Sequence, residues 1–125
     1  MAKGRDAHQA HQAALADLGR NLSRRARSRC ELCGDREGLR PVEVDGGPED
    51  PIEDWALLAC PRCRSAMEGK LGDASALRFL EEAMWAELRP AQIAAVRILR
   101  VVDMPWSIAA LEGLYLDPEV EALLN

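Results

Sequence analysis

Four cysteines carry the plainest chemistry in this sequence. They stand in two pairs, Cys30-Glu31-Leu32-Cys33 and Cys60-Pro61-Arg62-Cys63. A Cys-x-x-Cys pair places two thiolates on one tight turn, where both can reach one cation. Two such pairs complete a tetrahedral four-sulfur shell of the structural zinc kind. The 26 residues between the pairs exceed the usual spacing of roughly 15–20, and an acidic loop accounts for the excess. Zn2+ is therefore the expected cofactor. A closed four-thiolate shell leaves no coordination position for a substrate, so it bears on folding more directly than on catalysis.

Iron is the alternative metal, because tetrahedral sulfur sites accept either ion. Rubredoxin-like iron sites carry glycine after each pair; here only the first pair does, at Gly34. A redox dithiol would want one pair beside a βαβ pattern, and the sequence shows two pairs without that pattern. His8 and His11 lie three residues apart, but the thiolate shell is already full, so both read as solvated surface residues. Arg20, Arg24 and Arg27 share a helix face at i, i+4, i+7, which would suit phosphate. The plainer reading is that these cations complement a helix C-terminus, the anionic thiolate site and the acidic loop.

The elements that must position these residues can be read from composition and periodicity. The length, 125 residues, suits a single domain. Its expected sub-regions are an N-terminal helix at 6–28, a zinc module at 29–69 and a helical region at 70–125. Apolar residues make up 48% and only five residues are aromatic, so Ala and Leu dominate and favour helices. The net charge of −5 argues against a general nucleic-acid or membrane binder. The charge is uneven: residues 1–40 hold nine Lys/Arg against five Asp/Glu, and residues 41–60 hold six acids and no base. Those acids would compete with phosphate for the arginines, so nucleic acid is the less favoured partner. Neither a signal peptide nor an apolar run of membrane-spanning length is visible, so a cytoplasmic location is expected.

Leu15, Leu18, Leu22 and Ala26 recur on one face of the first helix, which Gly19 weakens. The expectation is that Leu15, Leu18 and Leu22 pack on the C-terminal helices, because the metal module looks too small to cover them. Leu39 to Val44 and Trp55 to Ala59 read as two strands around a loop from Asp45 to Asp54. Pro41 marks an edge. Pro61 suits the first turn of a helix carrying the second cysteine pair. Helices follow from Asp73 or Ser75 to Leu88, from Pro90 to about Val102, from Ser107 to Tyr115 and from Pro118 to Leu124. Their Trp and Leu stripes read as core rather than as a partner groove. The predicted fold is α+β and mostly helical, with a treble-clef-like zinc module (knuckle, β-hairpin, helix) packed with an N-terminal helix and a C-terminal helical bundle.

That knuckle–hairpin–helix order is shared with the HNH nucleases, which need a general-base histidine at the end of the first strand. Here that strand end reads Val42-Glu43-Val44-Asp45, and no histidine follows His11. Glu43, Asp45 and Glu68 are the carboxylates that would have to converge for a degenerate nuclease-like site.

The segments Ser28-Arg29-Cys30-Glu31-Leu32-Cys33-Gly34, Val42-Glu43-Val44 and Leu58-Ala59-Cys60-Pro61-Arg62-Cys63 resemble those of PhnA-type alkylphosphonate-utilisation proteins. So do Met84-Trp85, Pro90-Ala91-Gln92-Ile93, Arg97-Ile98-Leu99, Pro105-Trp106 and Leu114-Tyr115-Leu116-Asp117. The resemblance implies Cys30, Cys33, Cys60 and Cys63 as zinc ligands, and it implies no particular reaction. Longer members continue into a small β-rich domain that this sequence does not contain. The expected function is a small, non-enzymatic zinc-binding interaction or accessory module with a protein partner. The alternative is a degenerate HNH-like protein acting on or binding nucleic acid.

Overall fold

A short antiparallel hairpin divides the molecule into two cores. The computed structural model describes residues 2–124. Strand β1 (Arg40–Glu43) pairs with β2 (Ala56–Ala59), Arg40 opposite Ala59 and Glu43 opposite Ala56. All four residues of β2 are buried. An unbroken apolar run of this kind marks a strand covered on both faces. Ala56 and Leu58 face one cluster and Leu57 and Ala59 the other, as the two-residue period of a strand requires.

The loop before β2 ends in a 3₁₀ turn, Glu53–Trp55, so the second strand begins one residue later than the sequence suggests. Trp55 folds back over Gly46 and Gly47, and a Cβ at Gly47 would sit 2.5 Å from the indole Cγ. Only glycine allows that approach.

The N-terminal segment forms two helices rather than one. Helix α1 (Ala2–Asp17) stops at Leu18, and α2 (Gly19–Ala26) follows. The break falls beside Gly19, the weakest helix former in the stretch. Leu15, Leu22, Ala56 and Leu58 form the smaller core, with Leu18, Ala26 and Leu39 packed around it. The Leu stripe therefore covers the outer face of the hairpin rather than packing on the C-terminal helices as expected: among the described residues its cluster holds none from those helices. The apolar outer face of β2 supplies the cover that the metal module looked too small to give. His11 is also better placed than expected: its Nε2 meets the Glu43 carboxylate, tying α1 to the end of β1.

The larger core joins the inner face of the hairpin to the cysteines, to α3 (Pro61–Met67) and to the C-terminal helices. Its axis is α5 (Arg89–Val102), with nine buried residues. A helix apolar on most sides must sit inside. Pro90 lies in its first turn, and Asp103 closes it in the left-handed conformation at φ 50°. The helix expected from residue 73 to Leu88 is broken into a 3₁₀ turn, Ala74–Leu77, and a short α4, Leu80–Ala83. The Gln92 side chain donates to the Met84 carbonyl at 2.9 Å, satisfying a group that a continuing helix would have used. Leu77, Leu80 and Met84 still face the core.

Helix α6 (Pro105–Glu112) starts two residues earlier than expected. The buried Ser107 hydroxyl accepts from the Met104 amide at 2.9 Å and donates to its carbonyl at 2.8 Å. The last helix, α7 (Pro118–Leu124), begins after Asp117 as expected. Trp55 and Trp106 pack against the core, whereas Trp85 and Tyr115 are 48% and 87% exposed. Among the described residues no helix is long and apolar enough to cross a membrane.

Candidate metal centre

Each cysteine pair is shaped by its own local rule. In the first, the Cys30 amide donates to the Asp35 carbonyl at 2.7 Å, and Gly34 donates back to the Cys30 carbonyl at 2.9 Å. The turn needs Gly34 at φ 86°, a left-handed conformation that costs glycine nothing. In the second, Cys60 is the extended residue before α3, Pro61 fills its first position, and Cys63 lies on the first turn. Sequence reasoning anticipated both.

The two pairs meet. One sulfur from each of Cys30, Cys33, Cys60 and Cys63 lies within 4.8 Å of all the others. The Cys33 and Cys60 sulfurs are 3.6 Å apart. A tetrahedral metal with bonds of about 2.3 Å would hold its sulfurs roughly 3.8 Å apart, so the donor set fits such an ion. All four cysteines are free thiols. Three are buried and Cys33 is half-buried.

The electrostatics match that geometry. A hydrogen bond from Cys63 draws the Cys30 thiol well below its ordinary range, helped by the backbone amides of Cys33, Cys60 and Leu32. The same bond, then burial, pushes Cys63 up. Burial also raises Cys33, partly offset by the Asp35 amide and the Arg62 side chain. Negative charge is thus already stabilised at one sulfur. A cation binding all four displaces the remaining protons, which makes its affinity rise with pH.

Three arginines brace this centre, and none belongs to the predicted stripe. Arg25 holds Glu31 by two bonds, 2.8 Å from Nε and 2.9 Å from Nη2. It also donates to the carbonyls of Glu53 and Ala56 at 2.8 and 2.7 Å. Glu31 in turn accepts from the Leu58 amide at 2.8 Å, while its own amide donates to the Leu58 carbonyl at 2.9 Å. The first knuckle is thereby stitched to β2 from within its Cys-x-x-Cys turn. Arg64 donates to the carbonyls of Gly38 and Ala59, both at 2.7 Å. Arg62 lies 4.9 Å over the Phe79 ring, and the neighbouring Cys33 sulfur favours its charged form. The sequence signal for Arg25 was its place one residue off the stripe, on the flank of the buried Leu22.

Arg20, Arg24 and Arg27 are exposed. Among the described residues none of them pairs with the acidic loop or touches the thiolates. Glu43, Asp45 and Glu68 line one cleft of about 480 Å³, together with Arg64 and Arg97. Their oxygens do not gather on one point: among the described residues the cysteines form the one cluster of metal-ligand spacing. Comparison of the chain with protein-family models, curated proteins and solved structures finds no match.

Proposed function

We propose that this chain is a zinc-organised interaction module: a treble-clef-like unit of PhnA type, acting as a non-enzymatic accessory to a protein partner. The supporting observation is the convergence of four cysteine sulfurs within 4.8 Å. Knuckle, hairpin and helix follow one another in the treble-clef order, with the second pair at the helix start. Zinc suits the site because four thiolates saturate a tetrahedral ion, which then serves structure. The nuclease-like alternative gains nothing from Glu43, Asp45 and Glu68, which share a cleft without a common focus.

The test is thiol protection. In protein purified without chelator, the four cysteines should resist a thiol reagent, and chelation should expose all four with release of one zinc ion per chain. Full reactivity in untreated protein would overturn the reading. For the accessory role, tagged protein should capture a partner from the native host that a Cys60→Ser variant fails to capture; equal capture by both would refute a metal-organised surface.

A further inference from the structure

The net charge of −5 hides a separation that the fold makes sharper. Between Arg20 and Arg40 seven arginines stand against three acids. Two of those acids are already engaged. Glu31 is held by Arg25, and Asp35 turns back to accept from the amides of Arg36 and Glu37. One acid of the loop is also engaged elsewhere: Glu53 meets Asn21 by its carboxylate and Arg25 by its carbonyl. On α2 those two residues flank the buried Leu22, whereas helical periodicity puts Arg20 and Arg24 on the opposite side. Among the described residues no acid of the loop pairs with Arg20, Arg24, Arg27, Arg29 or Arg36.

The metal knuckle then adds cations to this exposed face. Arg27 and Ser28 reverse the chain with φ of 56° each, and their amides close on Arg24 and Ser23. The bond between the Cys30 amide and the Asp35 carbonyl closes the knuckle, so the flanking residues Arg29 and Arg36 come together. The result is a cleft of about 360 Å³ lined by Ala26, Arg27, Ser28, Arg29 and Arg36. Like charges gathered around one cleft repel unless an anion joins them. Guanidinium groups suit phosphate by their planar, paired donors. No aromatic side chain lines the cleft, so a base has nothing to stack on.

We infer that this cleft binds phosphate of a nucleic-acid strand, reading backbone rather than sequence, with Arg20 and Arg24 extending the contact along α2. The inference names a ligand for the proposed module and rests on the metal, because the knuckle is what sets Arg36 beside Arg29.

The test is fluorescence anisotropy of a labelled single-stranded RNA oligonucleotide against the zinc-loaded full chain. Binding is expected at low salt. With three phosphates contacted, affinity should fall roughly twentyfold between about 50 and 200 mM salt. The Arg27→Ala/Arg29→Ala/Arg36→Ala variant should lose at least about tenfold, Arg20→Ala/Arg24→Ala less, and Arg89→Ala nothing. Arg36→Glu alone lies on the exposed loop and should weaken binding at least as much as one lost contact, should the triple variant fold poorly. Zinc content measured on every variant separates failure of the cleft from failure of the metal reading. Absence of binding at low salt, or binding indifferent to Arg36→Glu with zinc retained, would overturn the inference. Displacement of RNA by inorganic tripolyphosphate at equal phosphate concentration would assign the cleft to a small phosphate ligand and refute the nucleic-acid source.

Discussion

The two faces of the hairpin are held by different means. On the outer face, four buried apolar residues and the Arg25–Glu31 clamp secure α1 and α2. On the inner face, the cysteines merge into a core that also contains α5, α4, α6 and α7. The C-terminal helices pack mainly on one another and on the hairpin, whereas the N-terminal pair packs mainly on the hairpin, with further ties from α2 to Glu31 and Glu53. A four-residue strand cannot hold its own shape, since an isolated hairpin is marginal at best. If the thiolates hold a metal as proposed, the N-terminal helices should depend on it through the hairpin, and the C-terminal helices, which also pack on one another, should depend on it less.

The largest effect should come from Cys60→Ser. Structural zinc sites contribute on the order of 10–16 kcal/mol of apparent binding free energy, against a total stability of about 5–15 kcal/mol for a typical domain. Loss of one thiolate should leave the hairpin and both N-terminal helices unfolded, seen as lost helicity by circular dichroism. Full wild-type helicity and melting in this variant would break the comparison.

Next come the two cores. Leu22 and Leu99 are both fully buried, and truncation of either to alanine should cost about 2–5 kcal/mol. The consequences should differ. Leu99→Ala should lower the melting temperature of the whole chain, whereas Leu22→Ala should loosen α1 and α2 alone, as resolved by limited proteolysis. Identical cleavage patterns would merge the two faces into one unit.

Glu31→Ala should cost about 1–3 kcal/mol, because it removes the carboxylate that pairs with Arg25 and leaves the Leu58 amide without its acceptor. Metal affinity should fall with it, since the first knuckle loses its tie to β2; a competition titration with a chromophoric chelator measures this. The smallest effect belongs to Arg89→Ala. Its pair with Glu119 is exposed on both sides, and chemical denaturation should show a change within about 0.5 kcal/mol.

What the sequence made legible was local or strongly patterned. The cysteine spacing, Gly34, Pro61 and the apolar run of α5 each act through nearby residues, and each fell where expected. What it hid depended on which surfaces meet. The stripe at Leu15 and Leu22 was readable, but its partner was the outer face of β2. The unbroken Ala56-Leu57-Leu58-Ala59 run was the available signal for a doubly covered strand. Arg25 could not be told from Arg24 by type, only by its position beside Leu22. The break after Met84 hinged on Gln92, a side chain eight residues away. His11 looked like surface because Glu43 is 32 residues distant.

Hydrogen exchange before and after chelation tests the central claim most directly. In the metal-loaded protein, amides of α2, β2 and α5 should all be protected. After the metal is removed, protection should vanish across residues 19–26, 30–44 and 56–67 and persist in α5. Protection of α2 that survives in the metal-free chain would contradict the dependence of the N-terminal helices on the thiolate site.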